Sequence, residues 1–334
     1  MMEAGVFMSF FKDFKYFFLD NFSAVRKTAR FVKRMQKELR RPSHVSIELT
    51  NVCNADCIMC SRRYMTRKVN HMPLELARHV IDECKKAKIN AINLFWMGET
   101  ILYPHLKEIL DYIKSEIPET GIALHTNGGF IDEEKARIIL NSSIAHLNFG
   151  LDGITKETYE SIRQNISYEK VEENIHQFLK MRNDMERQNP KVAVFLIQMD
   201  ENKEEARKFK EKWSPIVDKA GLVAYWNWGG TQGDRAVGSH KTRSMQTFNF
   251  PCQNLWKELV ISNDGTAAMC CVDYNITEEI GNINDSSIME IWRGKKMQRL
   301  RKIHMQKKYK ELEMCKGCNR FALQMNSSWE RMWK

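Results

Sequence analysis

The chain has 334 residues, a mass of 39.3 kDa and a net charge of +10, with 43% hydrophobic and 28% charged residues. This length allows one large domain, or a large domain with a small one, and the hydrophobic content excludes an intrinsically disordered protein. No apolar run approaches the roughly 18 residues of a transmembrane helix, and the start lacks the pattern of a signal peptide. We therefore expect a cytoplasmic protein.

The positive charge is concentrated at the two ends of the chain. Residues 1–42 contain ten Lys and Arg against four Asp and Glu, and residues 293–334 contain thirteen against three. The region between them, residues 43–292, has a net charge of −6. A nucleic-acid-binding core is normally basic across its working face, so this distribution argues against nucleic acid as a partner.

Residues 1–42 form the first predicted region, a basic amphipathic helix over 5–41 that ends at Pro42. Its apolar residues, from Phe7 to Val25, recur at helical spacing. Two interpretations stay open. The apolar face packs against the main domain or a second subunit, or it lies on a membrane surface with Lys and Arg near anionic lipid. The second interpretation would make the protein membrane-peripheral.

Strands and helices then alternate from Ser43 onward. Because βα units of this kind form parallel strands with right-handed crossovers, and because six is fewer than the eight strands of a closed TIM barrel, we predict a partial (β/α)6 barrel over 43–235. Ligands of such folds gather at the carboxyl ends of the strands. The predicted strands are 44–50, 91–97, 121–126, 145–151, 192–199 and 221–226, and the predicted helices between them include 73–88, 103–116, 131–140, 168–188 and 202–219.

The alternation stops near residue 228, where a glycine-rich loop begins. A β-hairpin that turns at Asn263-Asp264-Gly265 and a helix around 286–304 follow it. The sequence therefore predicts an α/β fold in which a small C-terminal domain, residues 236–334, consists of a β-hairpin plus a helix.

The nine cysteines include a first group directly after the first strand, Cys53, Cys57 and Cys60. In a cytoplasmic protein such clustering indicates metal or redox chemistry rather than disulfides. Three thiolates can hold three corners of a four-iron cluster and leave one iron open for a substrate or cofactor. Zinc is the less suitable alternative because it usually takes four ligands.

This C-x3-C-x2-C loop resembles that of the radical S-adenosylmethionine (SAM) superfamily. Three further motifs of that family recur after successive strands, and the resemblance covers residues 43–228. The motifs are Trp96-Met97-Gly98-Glu99-Thr100, Thr126-Asn127-Gly128 and Gly150-Leu151-Asp152-Gly153. The resemblance implies that the open iron of a 4Fe-4S cluster binds the amino and carboxylate groups of SAM, and that reductive cleavage of SAM yields a 5′-deoxyadenosyl radical.

The resemblance also implies which residues bind SAM. Met59 would lie against the adenine, Gly98 and Glu99 would hold the amino group, and Asp152 would approach the ribose. Arg163 matches an arginine that pairs with the SAM carboxylate, a role suited to the guanidinium fork. Asn127, in the Thr126-Asn127-Gly128 motif, is a further SAM-binding candidate. Three positions depart from the family pattern, namely Met97, Thr100 and Gly150, which replace Gly, Pro and Ser.

The second cysteine group consists of Cys252, Cys270, Cys315 and Cys318. Its pattern resembles the auxiliary-cluster module called SPASM, in the shorter "twitch" form that holds one cluster. The resemblance implies an auxiliary 4Fe-4S cluster with four cysteine ligands, and structural zinc is the alternative. We prefer Cys270 to the adjacent Cys271 as the ligand, because of its spacing from Gly265 and because strand alternation directs the two side chains to opposite faces.

The spacing of this second group is similar to that of aminocyclitol dehydrogenases. In those enzymes an arginine before the first auxiliary cysteine faces the substrate, and Arg235 is the candidate here. The resemblance therefore implies an oxidoreductase that removes hydrogen from a hydroxylated small molecule, such as a sugar or an aminocyclitol, while the auxiliary cluster accepts an electron. A reducing partner such as flavodoxin or ferredoxin would supply the electron for SAM cleavage.

Other readings of the sequence stay open. Dehydration or epimerisation would be redox-neutral reactions of the same enzyme class. A peptide maturase that modifies a ribosomally made precursor is the main alternative, and a non-catalytic iron–sulfur or RNA-binding protein is a third. Several polar residues at strand ends are candidates to line a substrate pocket, namely His125, Gln198, Tyr225 and Asn227.

Overall fold

The computed structural model describes residues 40–232, 235 and 251–320. The helix predicted at 5–41 therefore lies almost entirely outside the described residues. Within these ranges, no helix combines the length and the apolar character that crossing a membrane requires.

The described part of the chain contains eleven strands and ten α-helices. The strands are β1 (His44–Ile47), β2 (Asp56–Cys57), β3 (Ala91–Leu94), β4 (Gly121–Thr126), β5 (Ile144–Gly150), β6 (Arg163–Gln164), β7 (Lys191–Gln198), β8 (Lys219–Ala224), β9 (Glu258–Ile261), β10 (Thr266–Ala268) and β11 (Glu279–Asn282). The helices are α1 (Leu74–Lys86), α2 (Leu106–Glu116), α3 (Glu133–Asn141), α4 (Lys156–Ile162), α5 (Tyr168–Asp184), α6 (Ala206–Trp213), α7 (Asn254–Lys257), α8 (Ile288–Arg293), α9 (Lys295–Met305) and α10 (Glu313–Lys316).

Six strands form the predicted parallel wall, in the order β1-β3-β4-β5-β7-β8. The helices between them follow the predicted segments, and their starts are fixed by local chemistry. Asp132, for example, accepts a hydrogen bond from the backbone N–H of Lys135 at the start of α3. The short helix α4 was not predicted from the sequence.

The two faces of this wall differ in polarity and exposure. Residues such as Ile92, Leu147 and Phe149 face the helices and are fully buried, and Phe149 packs edge-on against Phe178 of α5. The opposite face, which we call the lumen face, points to the inside of the partial barrel. It carries half-buried polar and aromatic side chains, namely Asn93, Phe95, His125, His146 and Phe195. The lumen is therefore not filled by a closed apolar core.

The C-terminal hairpin extends the same sheet. Strand β9 pairs in parallel with β1, with Leu259 opposite Val45, and β10 and β11 follow in antiparallel pairing. The described strands thus form one nine-stranded sheet that ends at β11 on one side and β8 on the other. This confirms the partial barrel with a C-terminal hairpin and helices. The direct pairing of β9 with β1 was not predicted, because strand pairing over some 200 residues leaves no local pattern.

Candidate active site

The first cysteine loop lies at the carboxyl end of β1 and is held by a small sheet of its own. Strand β2 pairs with β6, which places Cys57 opposite Arg163. The backbone N–H of Ile58 also donates to the carbonyl of Ile162, at 3.0 Å. As a result, a guanidinium nitrogen of Arg163 lies 4.0 Å from the sulfur of Cys57, although the two are 106 residues apart in the chain.

The chain segment after β8 covers the same loop. The indole N–H of Trp228 donates to the carbonyl of Met59 at 2.9 Å, and the side-chain amide of Gln232 donates to the carbonyl of Cys60 at 3.0 Å. Sequence reasoning missed both residues. The sequence feature that could have indicated them is their position in the glycine-rich segment that follows the last barrel strand.

Glu99 and Asn127 lie together beside the first cysteine loop. The backbone N–H of Asn127 donates to a carboxylate oxygen of Glu99 at 2.7 Å, and its side-chain amide donates to Asn54 at 2.9 Å. The same amide nitrogen lies 4.0 Å from the sulfur of Cys53. Burial raises the pKa of Glu99, against the hydrogen bonds that favour its charged form. A ligand cation beside Glu99 would lower that pKa again.

Gly98 allows two strand ends to approach each other. A Cβ atom at this position would lie 2.1 Å from the carbonyl oxygen of Thr50, so no larger residue fits without a backbone shift. Met97, which replaces the first Gly of the family motif, is buried and accepts a hydrogen bond from Ser61 at 3.4 Å. The Gly98-Glu99 turn therefore lies directly against the end of β1.

Asp152 and Arg163 form a buried ion pair. Two guanidinium nitrogens of Arg163 lie 2.7 Å from one carboxylate oxygen of Asp152, and the other oxygen accepts from the backbone N–H of Ile197 at 2.6 Å. Burial by itself would lower the pKa of Arg163, but the charges of Asp152 and Cys57 raise it. Asp152 thus fixes the direction in which the guanidinium of Arg163 points, toward Cys57.

Gly150 provides the space that this guanidinium occupies. A Cβ atom at position 150 would lie 2.1 Å from a terminal nitrogen of Arg163. A side chain at position 150 would therefore displace the guanidinium of Arg163 in this chain. The sequence motifs suggested separate SAM contacts for Asp152 and Arg163, and the structure joins the two residues in one pair.

The thiols of the first group lie in a site of low solvent access. Burial raises the pKa of Cys57 to about 12, although the positive charge of Arg163 acts in the opposite direction. Burial also raises the pKa of Cys53 and Cys60. Iron binding must therefore displace the thiol protons, and Arg163 supplies positive charge where the thiolate of Cys57 forms.

The four cysteines of the second group come together from three separate parts of the chain. Burial raises the pKa of Cys315, and the nearby thiols of Cys270, Cys318 and Cys252 raise it further. The four thiols are therefore close neighbours. Burial raises the pKa of Cys252 to about 12. The backbone N–H of Cys318 donates to the carbonyl of Cys315 at 3.3 Å, which closes the C-x2-C turn.

Cys271 points away from this group. Its sulfur accepts a hydrogen bond from the side-chain amide of Asn254 at 3.6 Å, and it also contacts the carboxylate of Glu258. The sequence predicted that Cys270 and Cys271 lie on a strand. In the structure, strand β10 ends at Ala268, so both residues follow the strand. The two side chains diverge all the same, because the chain turns at this point.

The donor sets suit iron–sulfur clusters. Within the described ranges, no three His, Cys, Asp or Glu side chains converge closely enough to share a single metal ion. A four-iron cluster takes one thiolate at each iron, so its ligands need not meet at one ion. Three thiolates in the first group and four in the second match one open and one fully ligated cluster.

We expect Cys270→Ser and Cys271→Ser to differ, although the residues are adjacent. Cys270→Ser removes one ligand and should lower the iron content after anaerobic reconstitution from about eight to about four atoms per chain. Cys271→Ser should keep about eight, because its sulfur faces Asn254 and Glu258. Iron and sulfide analysis of both variants checks this, and the reverse result would make Cys271 the ligand.

The two cysteine groups share the segment 227–232 as a common wall. Trp228 binds the first cysteine loop, while Gly229 and Gly230 pack on the second. A Cβ atom at Gly229, where φ is +73°, would lie 2.8 Å from the carbonyl of Met314, next to Cys315. The side chain of Asn227 donates to the carbonyl of Gly317 at 2.8 Å, so this candidate pocket residue joins the two parts of the molecule.

The structure places the remaining sequence candidates differently. Arg235 pairs with Glu201, and its carbonyl accepts from the backbone N–H of Asp200 at 3.2 Å. Tyr225 is buried and donates to the carbonyl of Gln232 at 3.3 Å. His125 lies on the lumen face, where its ring packs against Phe95 with centroids 4.7 Å apart. Of these three residues, His125 is the one placed on the lumen face. Gln198, the last residue of β7, lies opposite Ala224 of β8.

Two family models match the chain. One is described as the radical SAM superfamily and matches residues 47–213, which is half of the chain. The other is described as an iron–sulfur cluster-binding domain, SPASM, and matches residues 252–319. The first range contains the three cysteines of the first group, and the second contains all four of the second group.

Curated relatives match at low identity. The mycofactocin maturase MftC of Mycobacterium tuberculosis is 26% identical over 140 residues, which cover 42% of this chain and 35% of the relative. The chain thus matches about a third of the length of that relative. An uncharacterised protein of Treponema pallidum is 23% identical over 299 residues, which cover 83% of this chain and 80% of the relative.

Solved structures share the fold. BtrN in complex with AdoMet and 2-DOIA has a TM-score of 0.57 at 18% identity, over 83% of this chain and 93% of BtrN. SuiB of Streptococcus suis bound to its precursor peptide SuiA has a TM-score of 0.65 at 11% identity, over 91% of this chain and 76% of SuiB.

Proposed function

Because this chain belongs to the radical SAM superfamily and carries an iron–sulfur cluster-binding domain, we propose that it oxidises a hydroxylated small molecule such as a sugar or an aminocyclitol. The family matches confirm the resemblance to radical SAM enzymes with a SPASM-type module that the cysteine spacings and strand-end motifs indicated.

The residues present can hold the cofactors of such a reaction. Cys53, Cys57 and Cys60 would ligate the first cluster, and Cys252, Cys270, Cys315 and Cys318 would ligate the auxiliary one. When bound, SAM and the two clusters supply a radical that removes one hydrogen atom from a substrate carbon and an acceptor for the electron that this carbon then loses. The hydroxyl proton leaves to solvent or to a nearby base.

The side chains around the first loop would orient SAM. The carboxylate of Glu99 is suited to the SAM amino group, and Asn127 holds that carboxylate in place through its backbone N–H. Asp152 points Arg163 toward Cys57, where the guanidinium would meet the SAM carboxylate. Met59 is buried beside Cys60 and would lie against the adenine. Gly98 has no side chain, which allows the Gly98-Glu99 turn to lie against Thr50 after β1.

The side chains of the lumen face support the proposed substrate class. His125 lies opposite Asn148 on the neighbouring strand, with 3.3 Å between the ring and the amide nitrogen, and both face the lumen beside Phe95. Burial lowers the pKa of His125 to about 4, so its ring is neutral at pH 7. An imidazole and an amide beside an aromatic ring can exchange hydrogen bonds with the hydroxyl groups of such a molecule.

Arg235 is the proposed cationic residue beside the substrate hydroxyl. It pairs with Glu201, which follows the carboxyl end of β7, and would approach the substrate from that end of the strand. A positive charge there would favour loss of the hydroxyl proton during oxidation. A flavodoxin or ferredoxin would serve as the one-electron donor for SAM cleavage.

A peptide maturase is the second candidate function. Its support is the fold similarity to SuiB, whose structure holds a precursor peptide, together with the local similarity to the maturase MftC. An open sheet with a half-exposed lumen can also admit a peptide side chain. The two candidates differ in the molecule that gives up the hydrogen atom, and that difference can be measured.

The test follows deuterium from the substrate into 5′-deoxyadenosine. The reconstituted protein is reduced with dithionite and incubated with SAM and either carbon-deuterated aminocyclitols and sugars or deuterated peptides. We expect deuterium from an aminocyclitol or sugar in 5′-deoxyadenosine, with a ketone as product. Arg235→Gln should lower this transfer, while the exposed control Arg137→Gln, whose partner is Glu133, should not.

Each other outcome points to a different function. Deuterium transfer from peptides alone would establish the maturase function and end the present proposal. Transfer from a sugar without a ketone product would indicate a redox-neutral reaction such as dehydration or epimerisation. Absence of 5′-deoxyadenosine from protein that holds both clusters would indicate a non-catalytic iron–sulfur protein.

A further inference from the structure

His304 lies between two cysteines of the second group. It belongs to α9 and is only 2% exposed. One ring nitrogen, Nδ1, lies 3.4 Å from the backbone nitrogen of Cys252, and the other, Nε2, lies 3.4 Å from the sulfur of Cys315. The ring packs at a tilt against Tyr309, with centroids 6.0 Å apart. No motif in the sequence singled out this residue.

The contact with Cys252 determines which nitrogen of His304 carries the proton. A backbone N–H is always a donor, so Nδ1 must accept from Cys252. A neutral imidazole carries one proton, which is then on Nε2, and Nε2 faces the sulfur of Cys315. The Nε2–H group is therefore aimed at a ligand sulfur.

We propose that His304 raises the reduction potential of the auxiliary cluster by donating this N–H to the sulfur of Cys315. Hydrogen bonds to ligand sulfurs are among the features that set the potential of an iron–sulfur cluster. A donor at the sulfur stabilises the additional negative charge of the reduced cluster, and residues that orient ligands in this way tune metal sites. The inference rests on the proposed function, in which Cys252, Cys270, Cys315 and Cys318 hold a four-iron cluster.

His304 also links two ligands that are distant in the chain. Cys252 precedes α7, whereas Cys315 lies in α10, and the ring of His304 contacts both. The reduced cluster carries one more negative charge than the oxidised one, so this hydrogen bond is stronger in the reduced state. Its loss should therefore change the balance of oxidised and reduced cluster by about tenfold.

The experiment compares His304→Phe with His304→Gln. Both are placed in the Cys53/Cys57/Cys60→Ala background, so that the auxiliary cluster alone is observed. Phenylalanine keeps a ring but has no donor, while the amide nitrogen of glutamine can take the place of Nε2. The reduction of the cluster is followed by EPR during a potentiometric titration with dithionite and mediators.

We expect His304→Phe to retain about four iron atoms but to lower the ratio of reduced to oxidised cluster about tenfold at a fixed potential. For a one-electron couple this equals a shift of about 59 mV to a more negative potential. His304→Gln should stay close to the parent. In the parent labelled with 15N-histidine, pulsed EPR should show a nitrogen coupled to the reduced cluster, and His304→Gln should remove that coupling.

Four results would overturn the inference. The first is an unchanged potential in His304→Phe. The second is an equal fall of the potential in both variants, since it would assign the effect to the loss of the imidazole and not of the donor. If His304→Phe loses its iron, the decisive result is the absence of 15N coupling in the parent. A parent without any iron at the second site would refute the auxiliary cluster itself, and so the proposed oxidation.

Discussion

Replacing Cys53, Cys57 and Cys60 with alanine is expected to abolish SAM cleavage and to halve the iron content, from about eight to about four atoms per chain. The three thiols lie at the carboxyl end of β1 beside Glu99, Asn127 and Arg163, whereas the second group has its own four thiols. Iron and sulfide are counted after anaerobic reconstitution, and 5′-deoxyadenosine is measured after reduction in the presence of SAM.

Cys84→Ala is the matched control for this experiment. Cys84 is buried in α1 and belongs to neither group, so this variant should keep about eight iron atoms. A wild-type chain with about four iron atoms and bound zinc, whose triple variant has almost none, would contradict the prediction. The second group would then be a structural zinc site, the oxidation would lose its electron acceptor, and a redox-neutral reaction would be favoured.

Asp152→Ala is expected to lower the free energy of unfolding by roughly 3–5 kcal/mol, because it leaves the buried charge of Arg163 without its carboxylate. Asp152 is fully buried and holds both Arg163 and the backbone N–H of Ile197. The measurement is urea unfolding, in which the midpoint should fall while the slope stays the same. The same change should weaken SAM binding, since Arg163 would no longer be directed toward Cys57.

A surface pair provides the comparison for Asp152. Asp111 and Lys107 form an exposed pair one turn apart on α2, and such pairs contribute little to stability, so Asp111→Ala should leave the midpoint close to that of the wild type. The unfolding midpoint of Asp152→Asn should lie between those of Asp152→Ala and Asp111→Ala, since an amide keeps the shape and one acceptor but not the charge. A midpoint for Asp152→Ala equal to that of Asp111→Ala would show that the buried pair does not stabilise the fold.

The local elements of this protein and the residue types of its sites follow from the amino-acid sequence alone. The six barrel strands are short apolar segments bounded by turns, and their order along the chain is also their order in the sheet. The three cysteines of the first group are neighbours in one loop, so their spacing alone indicates a cluster site. Glu99, Asn127 and Asp152 follow successive parallel strands, which brings them to one edge of the sheet.

The pairing of side chains, in contrast, depends on the tertiary structure. Asp152 binds Arg163, Trp228 covers the first cysteine loop, and His304 joins Cys252 to Cys315. The same is true of β9, which pairs with β1. Each of these contacts forms between residues that are distant in the chain, or depends on the direction of one side chain. Local spacing carries no information about either, because both are set by how the whole chain packs.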